Sequence, residues 1–413
     1  MSQITQRIQD SLQKRYRSEK IFKFSGLLSV VLTVSFLLVL FVSIINRGHP
    51  AFTAHKISLE IDLTNYEETD RINYRKSVKK SLRSKFTDAK TRTQKSDLYR
   101  ILSKSAHLEL KRKIAKNPEF IGTKVRIWLS ASSDVDMLLK GKISRDVKNG
   151  KLESAQIEYI EALEKENFVK KVFNTNFFYN ADSSEPEIAG MAASLIGSAL
   201  TIIVFLVASF PIAVMTAFYL EEFAPKNTIT DIVEVSINNL AAIPSIIFGL
   251  LGLVVYLNFM DLPRSAAIVG GLTLSMLVLP VIIIATRNTI KTIPSTIKDG
   301  AIAMGASKVQ VMFHHTLPLS LPGIMTGAIL ATSRALGETA PLLMIGMVAF
   351  IADVPRGFFD PTTVMPVQIY LWSDSPELGF AEKSAAAIMV LLAFLISLNG
   401  IAVFIRKKFE KKW

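Results

Sequence analysis

The chain has 413 residues, half of them apolar, with a mean hydropathy of +0.34 and a formal net charge of +13. That apolar content is too high for an ordinary soluble enzyme, and several runs reach the ~20 residues a helix needs to cross a bilayer. The chain contains no cysteine, which excludes disulfides, thiolate metal sites and a cysteine nucleophile. Charged residues still make up 20% of it, so part of it must face water. The basic residues largely flank apolar runs, which points to membrane topology and anionic lipid rather than to nucleic acid.

In chain order, residues 1–23 carry Arg7, Lys14, Arg15, Arg17, Lys20 and Lys23 ahead of a first span at 24–46. This run is longer than the apolar core of a signal peptide and ends in Ile44-Ile45-Asn46-Arg47, without a small-residue cleavage site. An uncleaved anchor is expected. Residues 47–189 form a hydrophilic insert. Ile57, Leu59, Ile61 and Leu63 alternate, as do Val125, Ile127 and Leu129, and both runs read as strands. Val78, Leu82 and Phe86 recur every fourth residue, as on one face of a helix, and Leu152, Ile160, Leu163 and Phe168 suggest another. The insert is therefore expected to be a small α+β domain. It has no Gly-rich loop, metal-spaced His pair or nucleophile elbow, so a docking or gating surface is favoured over an enzyme.

Further spans are expected within 190–405, at 191–220, 237–258, 266–286, 322–352 and 384–405. The 191–220 run is over-long and is expected to tilt or to break near Pro211. The short basic segments are the N-terminus, the 287–321 connection and the 406–413 tail with Arg406, Lys407, Lys408, Lys411 and Lys412. The positive-inside rule puts these in the cytoplasm, a parity that a chain of six spans satisfies. The insert then lies outside, since long loops translocate largely regardless of charge. The fold class expected is an all-α polytopic membrane protein of six helices carrying an inserted α+β extracytoplasmic domain.

No G-x-x-x-x-G-K-[ST] occurs in the chain, so it has no P-loop for ATP phosphates. If ATP powers it, another subunit supplies the ATPase. His49, His55, His107, His314 and His315 include no i, i+4 pair, which makes a metal site a poor candidate. Within 287–321, Pro294-Ser295 can start a helix, Gly305 interrupts it, and a second helical run reaches Leu317-Pro318. A helix, a Gly turn and a second short helix make a compact knob suited to a partner's groove. A loop folded back on the membrane is the competing reading.

Arg334 and Glu338 are ionisable residues inside an apolar span. If that span begins near Gly323, Arg334 lies about 17 Å along it, near mid-membrane. A charge there costs at least ~2.5 kcal/mol on insertion scales. The two residues are i, i+4 and can pair on one helix face. Pro341 lacks the N–H that would bond the Gly337 carbonyl, so a kink is expected between Gly337 and Pro341. Irregular backbone at that depth is tolerated where it is buried in protein or lines a watery cavity. Arg334, Glu338 and the adjacent Thr339 are the candidate substrate path; a salt bridge that only locks helices together is the alternative.

Three stretches resemble a known family. Asp299, Gly300, Ala301, Gly305, His315, Leu317 and Pro318 keep the spacing of the coupling loop of ABC-importer permeases, with Asp299, Gly300 and His315 departing from its usual residues. NLAAIPSIIFGLLGL at 239–253 and RALGETAPLL at 334–343 resemble the PstA family of phosphate permeases. The insert, with FIGTKVRIWLSASSDVDMLLKG, resembles the extra periplasmic domain of a subset of that family. The resemblance implies a type I ABC-importer permease core and transport of inorganic phosphate across a bacterial inner membrane. It also implies a second permease PstC, a dimer of the ATPase PstB that binds ATP and Mg, and a periplasmic binding protein PstS. Asp299, Ala301, Gly305, Leu317 and Pro318 would then contact the ATPase, and this chain itself would hold no cofactor. A permease for sulfate or molybdate, and a membrane sensor using the insert, are the rival readings.

Overall fold

The computed structural model describes residues 3–64, 72–145, 152–348 and 350–409. Lys411 and Lys412 of the basic tail lie outside the described residues. The first helix, α1 (Gln3–Gly48), is far longer than the expected span. The hydroxyls of Ser25, Ser29 and Thr33 donate to carbonyls one turn back, so these polar groups of its apolar stretch are satisfied within the helix. Its apolar side chains, among them Phe24, Leu32, Phe36 and Val39, are exposed on the isolated chain, as lipid-facing residues are.

The insert is an α+β unit. It comprises β1 (Thr53–Asp62), α2 (Tyr74–Lys85), α3 (Arg92–Tyr99), α4 (Ala106–Lys116), β2 (Lys124–Ser130), α5 (Ser133–Leu139), α6 (Ser154–Lys165), β3 (Val169–Phe173) and α7 (Thr175–Tyr179). The sheet is antiparallel in the order β2-β1-β3. Ile57, Leu59 and Ile61 stand opposite Leu129, Ile127 and Val125. Their shared face packs on Val78, Leu82, Leu110 and Ile160 in one buried core. The expected helices are α2, capped by Asn73, and α6; Phe86 falls just beyond the end of α2, and Leu152 and Phe168 lie outside α6, before its start and after its end. Glu109 of α4 ties the layers together. It accepts from Lys56 Nζ of β1 at 2.9 Å and from the backbone and hydroxyl of Ser130 in β2 at 2.8 Å each. Burial by itself pushes this carboxyl up, but Lys56, Lys113 and the Ser130 amide outweigh it and hold it below its usual range.

The apolar half comprises α8 (Ala192–Phe218), α9 (Thr228–Ala241), α10 (Ser245–Gly252), α11 (Ala267–Lys291), α12 (Ser295–Ala303), α13 (Lys308–Val311), α14 (Leu317–Gly337), α15 (Ala340–Met344), α16 (Met365–Asp374) and α17 (Leu378–Phe409). Helices α8 and α11 pack closely: a Cβ on Gly271 would lie 2.5 Å from Val204. Tight packing through small residues is what stabilises helices in lipid. Helix α8 runs unbroken through Pro211, so of the two expectations for this run the break is not seen. The 237–258 run is not one straight helix. It bends by 101° between α9 and the pair formed by α10 and its π-helical continuation to Phe259. Pro244 sits at that corner, where it disfavours helical geometry in the preceding residue. Among the described residues five helices are long and apolar enough to cross a membrane, six if the bent pair counts as one.

The insert is seated on the start of α17 by buried charges. Lys140, at the end of α5, donates to Asp136 and to Glu382 of α17, each at 2.7 Å. Asp136 also accepts from the backbone N–H of His55 at 2.8 Å and contacts its Nδ1 at 2.9 Å. Lys383 donates to the Ala189 carbonyl. At Gly379 a Cβ would collide with the Ser133 hydroxyl, so the Ser133 side chain of α5 packs directly on the α17 backbone.

Candidate functional site

The expected charge pair lies where a helix stops. α14 packs on α11 through small residues, with Gly323 against Thr289 and Gly327 against Ala285. The stripe Leu330, Arg334 and Gly337 is left uncovered. Arg334 Nε stands 3.7 Å from Glu338 Oε1, with 43% and 21% of the two side chains exposed. This is an ion pair too loose for a direct hydrogen bond. The position in the last turn of α14 also suits a cation, since the helix dipole is negative there. A guanidinium within an apolar helix and open on the isolated chain would be costly against hydrocarbon.

The backbone beside it is broken rather than kinked. α14 ends at Gly337, and Glu338 is extended at φ −80°, ψ 119°. Thr339 caps α15, its carbonyl accepting from the Leu342 and Leu343 amides at 3.1 and 3.0 Å. The 322–352 run therefore contains a single long helix only as far as Gly337. Pro341 is the second residue of α15, in the first turn, where its missing N–H leaves no intrahelical bond unmade. It is pressed against α10, since a Cβ on Gly249 would approach its Cα to 2.7 Å. Thr339 and Glu338 are thus held at the break by a fixed α10–α15 contact.

The second expected feature is the knob within 287–321. α12 ends at Ala303, and Gly305 follows its C-cap Met304 with a φ of +93° in the left-handed region. Ser307 then caps α13 through a reciprocal bond with Gln310. The knob's outer surface is apolar for an exposed segment: Ile302, Val309 and Phe313 are open, and Met304 is 91% exposed. Asp299 and Gly305 are exposed near this tip, with Ala301 half-buried. Leu317 and Pro318 are not at the tip. They begin α14, half-buried, because α13 passes through a π-helical turn straight into that helix.

Sequence reading missed the ion network at the root of the knob. Arg287, on α11, is 7% exposed and bridges Glu221, after α8, at 2.6 Å to Glu234 of α9 at 2.5 Å. Lys298 of α12 holds Glu222 at 2.6 Å. Lys298 thereby ties the knob to the segment after α8, and Arg287, on the helix that leads into the knob, joins that segment to the middle of α9. The adjacent Glu221-Glu222 in an apolar context was the available signal, because unpaired carboxylates there would be costly.

Spanning helices, a charge pair at an interrupted helix and an anchored protruding knob together define a multi-pass membrane permease. The chain belongs to the family of binding-protein-dependent transport system inner membrane components, whose model matches residues 199–411. Residues 9–149 match a domain of unknown function, DUF3333. Among curated relatives, the probable ABC transporter permease protein YqgI of Bacillus subtilis (strain 168) is 28% identical over 236 residues, 53% of this chain and 80% of that protein. The phosphate transport system permease protein PstA of Yersinia pestis is 29% identical over 223 residues, 53% of this chain and 74% of that protein. The phosphate transport system permease protein PstC of Pasteurella multocida is 29% identical over 267 residues, 58% of this chain and 82% of that protein.

Proposed function

We propose that this chain is the PstA-type subunit of an ATP-driven importer for inorganic phosphate. The observation that carries the reading is the uncovered Arg334–Glu338 pair at the break between α14 and α15; relatives named as phosphate permeases support the choice of anion. The open face of α14 is where a second permease, PstC, would complete a path. The apolar knob would dock a PstB ATPase, which binds ATP and Mg, and PstS would deliver phosphate from outside. ATP-driven closure of the ATPase would push α12, and the Lys298–Glu222 and Arg287 contacts would pass that push to α8, α9 and α11.

The test is gentle extraction followed by identification of bound subunits and measurement of ATP hydrolysis. A second permease and an ATPase should co-purify, and hydrolysis should rise with phosphate when the binding protein is present. Stimulation by sulfate or molybdate instead would replace the substrate. Purification without an ATPase partner would overturn the importer reading in favour of a sensor.

Both termini are placed in the cytoplasm and the insert outside, on the charge asymmetry of the short loops. Thr87 is exposed between α2 and α3, and the chain has no native cysteine. Thr87→Cys should therefore react with an impermeant thiol reagent once the outer membrane is permeabilised. Reaction only after lysis of the inner membrane would invert the topology.

A further inference from the structure

Between Tyr74 and Lys116 the chain has fifteen Lys or Arg and only three Asp or Glu. This local excess is close to the whole net charge of +13. Two of the three carboxylates are already engaged or hidden: Glu109 by Lys56 and Lys113, and Asp97 by burial. Helices α2, α3 and α4 converge on a cleft of about 250 Å³ lined by Arg75, Lys79, Tyr99, Arg100, Lys104 and His107. Hydroxyls of Ser96 and Ser103 complete its polar wall, Val78, Leu82 and Leu102 its apolar floor, and no carboxylate among the described residues lines it. Lys79 lies over the Tyr99 ring at 4.9 Å and Arg83 at 5.4 Å. Arg75 and Arg100 have no side-chain hydrogen bond or ion pair among the described residues.

Like charges gathered around a concavity repel one another, and an anion relieves that repulsion. Guanidinium forks match the oxygens of a phosphoryl group, and hydroxyls donate to the same atoms. We propose that this cleft binds a phosphate-bearing anion, at a site separate from the charge pair in α14. The cleft exceeds the size of one phosphate, so linked phosphates or a phosphate ester fill it better. Lys104 connects it to the permease: its ammonium also holds Glu185 at 2.9 Å, on the segment leading into α8. An anion in the cleft competes for Lys104 and loosens that tether, so occupancy is reported to the membrane helices. The proposal does not depend on what the permease transports.

The test is equilibrium binding to the purified full chain in nanodiscs at constant ionic strength. Inorganic phosphate, pyrophosphate and glycerol phosphate are the probes, and sulfate is the control. Saturable binding with pyrophosphate strongest is expected. Arg75→Gln with Arg100→Gln should weaken it at least about tenfold, the loss of one or more charge-assisted contacts. Both side chains are exposed, so the unfolding temperature should hold; Arg100→Lys should be intermediate. Lys116→Gln, exposed at the end of α4 and outside the cleft, should leave binding unchanged. Preference for glycerol phosphate would assign a lipid headgroup as the source, and preference for pyrophosphate or phosphate a free anion. The site is overturned if no probe saturates, if sulfate binds equally, if the double variant binds as well as the wild type, or if Lys116→Gln weakens binding as much as the double variant does.

Discussion

Gly305→Val is expected to leave the chain inserted and assembled while lowering substrate-stimulated ATP hydrolysis at least about tenfold. Its φ of +93° lies where a β-branched residue is strained, by roughly 1–3 kcal/mol. No neighbouring atom would meet an added Cβ there, so the strain is in the backbone and is relieved by re-aiming α12. That re-aiming displaces Met304 and the exposed apolar tip, which is the surface proposed to enter the ATPase groove. Gly305→Asn is the informative companion, because Asn tolerates left-handed geometry; it should keep most of the coupling. The measurement is phosphate-dependent hydrolysis by the reconstituted complex, with subunit stoichiometry checked separately. Full coupling in an assembled Gly305→Val complex would remove the knob from this role.

Arg334→Lys should cut phosphate uptake at least about tenfold despite keeping the charge, and Glu338→Gln should impair it despite keeping the size. Phosphate losing its water needs a cation to replace it. A planar fork of donors matches its oxygens in a way that an ammonium does not. Glu338 has two proposed uses. In an empty path it neutralises Arg334 across their 3.7 Å gap, and removing it strands a cation. In a filled path its carboxylate accepts the P–OH proton, which fully deprotonated sulfate lacks, and repels sulfate, so specificity comes partly from repulsion. Uptake into vesicles by the complete complex decides the matter. Near-normal uptake by both variants would leave Arg334 and Glu338 as a structural pair. Glu338→Gln should also narrow the gap between phosphate-stimulated and sulfate-stimulated hydrolysis.

The elements legible in the sequence were those whose signal is local. Alternation at Ile57–Leu63 and Val125–Leu129 located two strands that pair with each other, because a half-buried strand writes its register into every second residue. The third strand, Val169–Phe173, has lysines at its centre and a half-exposed edge, so it carried no such pattern. Gly337 and Pro341 marked the interruption in the fifth span. The course of the chain beyond Gly337 depends on α10 packing against Pro341, a contact that spacing along one helix cannot reveal. The same holds for the bend at Pro244 and for the unbroken course through Pro211. A proline shows where a helix loses a bond; tertiary packing decides whether it breaks. The ion networks were the least legible, since Lys140 and Glu382 are 242 positions apart.

The seat of the insert on α17 has an evolutionary consequence. A domain inserted into a loop is ordinarily removable, because its host closes up once the ends are rejoined. Here Glu382, with only 6% of its side chain exposed, is neutralised by Lys140 of the insert. Excising the insert would remove the ammonium that pairs with this carboxylate. Loss of the domain should therefore be accompanied by replacement of Glu382 with an uncharged residue, an expectation that sequences of permeases lacking the insert would check at this position.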